Sequence, residues 1–185
     1  MPRLEQIREQ LDVIRAQLGD DEAFMRLAER YHARLLHYVR RIVRDRATAD
    51  DVAQETWVAA YRALRRLDDP QRLRAWLYGI ARNQALNALR REDRTRLDYV
   101  EDEVLEAVPD AEDGGLQIRA EQAAQVHRCL DRISPAHAEV LILCYVDGLS
   151  YEEIAEITRV KLGTVRSRLH YAKRALREAM ESDEQ

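Results

Sequence analysis

Residues that interrupt helices are scarce in this chain of 185: six Gly and four Pro, with a single Phe. Few breakers, and a surplus of Ala, Leu, Arg and Glu, favour helix and argue against a sheet protein. No apolar run approaches the roughly 20 residues that a membrane-spanning helix requires. The opening "MPRLEQIREQLDVIRAQLGDDEAF" lacks the apolar core and small-residue cleavage site of a secretory signal. A cytoplasmic chain without membrane insertion is therefore expected. The two cysteines, Cys129 and Cys144, form no CxxC and read as buried thiols, with a disulfide or metal role as the lesser alternative. His32, His37, His127 and His137 are scattered, and neither GxxxxGK nor HExxH occurs. Neither a metal nor a cofactor is expected, nor an enzyme's catalytic centre.

What is present is helical periodicity in two blocks. Residues 1–19 read as an N-terminal helical extension ended by Gly19, and 20–96 as a first helical domain. In the latter, Phe24, Leu27, Ala28, Tyr31, Leu35, Tyr38 and Ile42 recur at steps of three and four, giving one apolar face. Thr48 is the expected N-cap of a second helix with acids in its first turn, and "DDP" precedes a third from about Gln71 to Arg91. The stretch 97–115 carries eight acidic side chains, no basic one, a proline and a Gly-Gly pair, and reads as a linker. Helix is expected again from Leu116 to about Ile133. Within the second domain, 116–185, Ser134, Pro135 and Gly148 mark the start and end of a helix. The fold class is all-α, two small helical domains joined by an acidic linker, the second holding a helix-turn-helix.

That last element rests on "SYEEIAEITRVKLGTVRSRLHYAKRAL", residues 150–176. Net charge over the chain is −4, yet Arg159 to Arg177 holds seven Lys or Arg and no acid. Ser150 and Glu153 form a capping box for a short helix to about Ile157. "TRVKLG" is a turn, and Thr164 can cap a longer helix with Val165, Leu169, Ala172 and Leu176 inward. Short helix, turn and longer basic helix make the helix-turn-helix, whose second helix fits the major groove. Arg166, Ser167 and His170 are placed to reach base edges. Arg159, Lys161, Thr164, Arg168, Lys173 and Arg174 suit phosphates. A solvated basic face is the plainer alternative.

Two further patterns lie in the first block. "ADDVAQETWVAAYRAL" sets Asp51, Gln54, Glu55, Val58 and Arg62 along one stripe, either an anionic docking face for a basic partner or an ordinary solvated one. Between Arg72 and Arg96 there are seven arginines against two acids. Arg72, Trp76, Asn83, Asn87 and Arg90 project to one side, with Leu73, Leu77, Ile80 and Ala81 toward the core. Amides for base edges, arginines for phosphates and an aromatic ring for stacking suit single-stranded DNA. Trp76 reads equally as a core aromatic.

"DGLSYEEIAEITRVKLGTVRSRLHYAKRAL" resembles region 4 of the sigma-70 family, in particular the extracytoplasmic-function (ECF) sigma factors, which recognise a −35 element with it. Tyr171 departs from the basic residue many relatives carry there. "ADDVAQETWVAAYRAL" is similar to ECF region 2.2, which binds the clamp helices of core RNA polymerase, and implies Asp51, Gln54 and Glu55 as docking residues. "AWLYGIARNQALNALR" resembles regions 2.3 and 2.4, which melt and read the −10 element. It implies Asn83 and Asn87 for a flipped base, with 68–72 as its pocket loop. The resemblance implies a promoter-specificity subunit without a catalytic site. Its expected partners are core polymerase (clamp helices and flap), promoter DNA both duplex and melted, and an anti-sigma protein. It implies that the linker threads polymerase. A stand-alone helix-turn-helix regulator and a protein-binding helical adaptor are the competing readings.

Overall fold

The computed structural model describes residues 2–92, 126 and 128–183, and among these every regular element is helical. The expected linker, 97–115, and most of the helix expected from Leu116 lie outside the described residues. Contacts divide the chain into two compact units, Met1–Tyr99 and Val100–Gln185.

The first unit contains α1 (Pro2–Gln17), α2 (Asp21–Ile42), α3 (Arg46–Ala63) and α4 (Leu73–Glu92). Short 3-10 turns at Leu64–Arg66 and Pro70–Arg72 lead from α3 into α4. Helices α2, α3 and α4 pack against one another, and α1 lies on α2 and touches both turns. Gly19, at φ +98°, takes the chain from α1 into α2 through a conformation that disfavours other residues. Asp20 then caps α2, accepting a hydrogen bond from the Ala23 N–H at 3.0 Å, while Arg40 and Arg41 in the last turn suit the helix dipole. The inward face is Ala23, Leu27, Tyr31, Leu35, Tyr38 and Val39. Phe24, Ala28 and Ile42, expected inward, are only half-buried. Tyr38 meets Tyr78 of α4 with ring centroids 5.2 Å apart, among the fully buried Leu27, Leu35 and Leu77. Each such leucine contributes about 1.5–3 kcal/mol on burial.

Two starts differ from expectation. The cap of α3 is Asp45, not Thr48: its carboxylate accepts both the backbone N–H and the hydroxyl of Thr48 at 2.8 Å. These hydrogen bonds hold the Asp45 carboxyl below its ordinary value. Helix α3 therefore starts at Arg46, and its first turn holds no acid; Asp50 and Asp51 come later. The segment from Gln71 is a 3-10 turn, capped by Asp69 onto the Gln71 N–H at 2.9 Å, and α-helix proper begins at Leu73.

The second unit contains α5 (Pro135–Leu141), α6 (Tyr151–Thr158) and α7 (Leu162–Asp183). Ser134 caps α5 through the His137 N–H at 3.3 Å, with Pro135 at the first position. The helix widens into a π-type turn over Ile142–Val146 and is left at Gly148, φ +63°. Both α5 and α6 pack on α7, around Val140, Leu143, Ile154, Val165, Leu169 and Ala172. Cys129 is buried and Cys144 half-buried, and neither is joined in a disulfide.

Candidate nucleic-acid interface

Helix α6 opens with a capping box closed in both directions. The Ser150 N–H donates to Glu153 Oε2 at 2.8 Å, and the Glu153 N–H donates to Ser150 Oγ at 3.2 Å. It closes at Arg159, which adopts φ 58°, ψ 37°, the left-handed region. The Val160 N–H then reaches back to the Ala155 carbonyl at 3.2 Å. The chain thus reverses within three residues and starts α7 at Leu162. The Lys161 carbonyl accepts from the Thr164 and Val165 N–H groups at 2.9 and 3.2 Å, so Lys161 stands at the cap and Thr164 is already inside the helix. That corrects the expected cap.

On α7 the buried set is Val165, Leu169, Ala172 and Leu176. Arg166, His170 and Arg174 are exposed, as are Arg159 and Lys161 in the turn; Thr164, Arg168 and Lys173 are half-buried. Ser167 is the exception among the expected base readers. It is 5% exposed, and its Oγ donates to the Thr164 carbonyl at 3.0 Å. A short side chain bonded to its own backbone does not stand out toward a base edge, and Ser167 belongs to the helix rather than to its outer surface. Arg168 Nε is buried and lacks a hydrogen-bond partner. Tyr171 has a part that sequence reasoning left undefined. Its ring lies edge-on to His170, centroids 5.4 Å apart, and carries the Arg174 guanidinium at 5.6 Å. Arg174 Nε is also 3.4 Å from Glu178, an exposed pair of small energetic consequence. Lys173 Nζ lies 5.3 Å over the Tyr145 ring, which links the basic helix to the π-type turn that follows α5.

In the first unit, Asp51, Gln54, Glu55, Val58 and Arg62 are exposed along α3 while Ala49, Val52, Ala53, Thr56 and Ala60 are buried. Thr56 is tolerated in the interior because its hydroxyl donates to the Val52 carbonyl at 2.7 Å. Glu55 is 4.0 Å from Arg91 at the end of α4, both well exposed. Beside the stripe is an aromatic group that the sequence reading did not single out. Phe24 meets Trp57 and Tyr61 edge-on at 5.9 and 5.0 Å. Tyr61 donates to Asp21 at 2.8 Å, which raises the phenol's pKa, and Trp57 Nε1 donates to His32 Nδ1 at 3.2 Å. The i, i+4 spacing of Trp57 and Tyr61 was the available signal.

Helix α4 is different. Leu73, Ala75, Leu77, Tyr78, Ala81, Ala85 and Ala88 are all buried, a broad belt, whereas Ile80, expected with them, is half-buried. At 100° per residue Trp76, Asn83, Asn87 and Arg90 share an arc of about 60° with Arg72 just before them. Asn87, Arg90 and Arg72 are exposed; Trp76 and Asn83 are half-buried. Gly79 lies about 20° beyond the edge of that arc, between Trp76 and Asn83 along the helix, and a Cβ placed there would meet nothing within 4 Å. The arc therefore offers a ring, two amides and arginine with open surface between them. No group of three or more His, Cys, Asp or Glu poised to hold a metal occurs among the described residues, nor does a helix long and apolar enough to cross a membrane.

Comparison with known proteins bears on both units. The family described as Sigma-70 region 2 matches residues 27–95, and Sigma-70, region 4 matches residues 123–176. The chain is 34% identical over 188 residues to the RNA polymerase sigma-H factor of Pseudomonas aeruginosa, covering 96% of each. It is 35% identical over 182 residues to the ECF RNA polymerase sigma-E factor of Escherichia coli K12, covering 93% of this chain and 94% of that one. Among solved structures, CnrH in complex with the cytosolic domain of CnrY superposes with a TM-score of 0.68 at 26% identity, covering 95% of this chain and 99% of CnrH.

Proposed function

The chain belongs to the sigma-70 family, as an RNA polymerase sigma factor of the ECF group, and on that premise we propose which of its surfaces perform each step of promoter-specific initiation. A sigma factor binds core polymerase and promoter DNA, and it is a specificity subunit rather than an enzyme. In our reading this chain has no catalytic centre of its own and acts in the cytoplasm, where polymerase is. Residues 20–96 bind core and capture the −10 strand, 116–185 read the −35 duplex, 97–115 join them, and 1–19 form an extension.

Asp51, Gln54 and Glu55 dock on the clamp helices of core, and the second domain meets the flap. Arg166 and His170 contact −35 base edges, and Arg159, Lys161, Thr164, Arg168, Lys173 and Arg174 hold phosphates. Trp76, Asn83 and Asn87 receive bases extruded from the −10 element, with Arg72 and Arg90 on the strand's phosphates. Unstacking a base costs a few kcal/mol, offset by those contacts, so binding energy is redirected into strand opening. An anti-sigma protein is the proposed regulator, covering these same surfaces.

One observation carries the reading. In α7 the apolar residues Val165, Leu169, Ala172 and Leu176 are buried, while Arg166, His170 and Arg174 remain exposed behind a capped two-helix turn. In vitro transcription tests it: the purified chain, sigma-free core and a pool of genomic promoter fragments, with RNA 5′ ends sequenced. Discrete starts preceded by two shared motifs are expected, and changing Asp51 and Glu55 together to Ala should remove them. Duplex binding without added starts would instead point to a stand-alone regulator.

A further inference from the structure

Helix α1 is built inside out. Its polar side chains attach it to the unit: Asp12 accepts from Arg26 at 2.8 Å, Glu9 from the Tyr31 hydroxyl at 2.5 Å and from Arg30 at 3.2 Å. Gln17 Nε2 donates to the carbonyls of Leu64 and Leu67 at 3.0 and 2.7 Å. Val13 is buried against the unit. The larger aliphatic residues face the other way. Leu4 is 63% exposed, Ile7 46%, Leu11 49%, Ile14 43% and Leu18, just past the helix, 82%. A surface helix of a globular domain ordinarily turns its apolar stripe to the core. Here the stripe advances by three, four, three and four residues, the 3.5-residue repeat of a coiled-coil seam. Five large aliphatic side chains in one line are a contiguous patch, not the scattered exposure usual on a soluble surface.

The edges of the seam indicate what covers it. Arg8 and Arg15, both exposed, follow Ile7 and Ile14 along one edge. Gln10 and Gln17 precede Leu11 and Leu18 along the other. Glu9 and Asp12 are already engaged with α2, and Glu5 lies further round the helix than Arg8. Two copies of this chain would pair poorly: antiparallel seams set arginine edge against arginine edge, and parallel ones set arginine against glutamine. A helix with acids at its edge satisfies both the stripe and the arginines. We infer that α1 is a docking seam for an amphipathic helix of a protein partner, one with a 3.5-residue apolar stripe and Glu or Asp opposite Arg8 and Arg15. The inference needs neither the polymerase nor the DNA surfaces, and its test uses neither.

The probe is a labelled synthetic three-heptad helix with Leu and Ile on its seam and Glu at its edges, titrated by fluorescence anisotropy with the full chain at low salt. A matched probe carries Lys at the edges. The Glu probe should bind about tenfold tighter than the Lys probe. In Arg8→Glu/Arg15→Glu that order should reverse. Leu11→Ser/Ile14→Ser should abolish binding of both while the thermal melt by circular dichroism is unchanged, because those side chains are exposed. Equal affinity for the two probes, absence of binding, or binding retained in Leu11→Ser/Ile14→Ser would overturn the inference. So would a wild-type oligomer in sedimentation that Leu11→Ser/Ile14→Ser dissolves, which assigns the seam to a second copy. Adsorption to phosphatidylcholine vesicles that is lost in the same variant would assign it to a lipid surface.

Discussion

Helices α4 and α7 are both rich in arginine, yet they are seated in their units in different ways. Helix α7 buries one narrow apolar stripe, at steps of four, three and four from Val165 to Leu176, and apart from the small Ser167 leaves most of its circumference outward. Helix α4 buries a belt from Leu73 to Ala88 against α2 and α3, and among its described side chains only Asn87, Arg90 and Arg91 are exposed, with Trp76, Gly79 and Asn83 half-buried. A helix that enters a major groove must present a whole face to the base edges. In the proposed reading α4 is too deeply packed for that, and bases come to it out of the stack. On that reading the same residue type serves two kinds of DNA, and the difference lies in how much of each helix its unit covers.

That contrast can be broken at either helix. Arg166→Ala should have the largest effect, about 1–3 kcal/mol in −35 duplex affinity with relaxed preference at one base position, read by binding to a panel of single-base variants. Asn83→Ala should come next and should act elsewhere: duplex affinity stays and open-complex formation falls by about tenfold, measured with a fluorescent base in the −10 element. Equal losses at both steps would end the assignment of α4 to single strands. Lys173→Ala should weaken all duplexes alike and flatten the dependence of log K on log salt by about one phosphate contact. The smallest effect is a matter of stability alone. Because hydrogen bonds from Thr48 hold the Asp45 carboxyl below its ordinary value, its contribution is full above the ordinary carboxylate range. It is lost as pH falls through the lowered value. Asp45→Asn keeps a capping side chain but should remove that part of the acid-side fall in Tm.

Local chemistry made much of the fold legible. Ser134–Pro135 and Ser150 with Glu153 are caps whose partners sit within three residues, so the sequence contains the whole interaction, and the helices begin where those residues indicate. The helix start differs from expectation near Thr48 because a second cap-competent group, Asp45, stands close by, and near Thr164 because the backbone turn before it sets the start. Asp45 can accept two hydrogen bonds from Thr48, and the left-handed turn at Arg159 lets α7 begin at Leu162. Ser167 shares its neighbourhood with Arg166 and His170 in sequence, but side-chain length decides what stands clear of a helix, and periodicity does not encode it. The aromatic group of Phe24, Trp57 and Tyr61 joins two helices, and a contact of that separation leaves only a faint trace in either one. The exposed stripe of α1 was readable as amphipathic, but which of its faces would be outward depends on where Arg26, Arg30 and Tyr31 sit on α2.

The bond from Gln17 to the Leu64 and Leu67 carbonyls has a practical bearing on where the molecule can be cut. The family match in the first unit begins at Leu27, inside α2. A fragment trimmed to that point would lose α1, the Asp20 cap and the first six residues of α2 together; the Leu67 carbonyl would lose its Gln17 donor, and the Leu64 carbonyl would keep only the Leu67 N–H. Water can take over an exposed carbonyl, but each one that stays buried costs about 1–3 kcal/mol. For expression and for any reporter fused at the front, the folding unit starts at the beginning of α1.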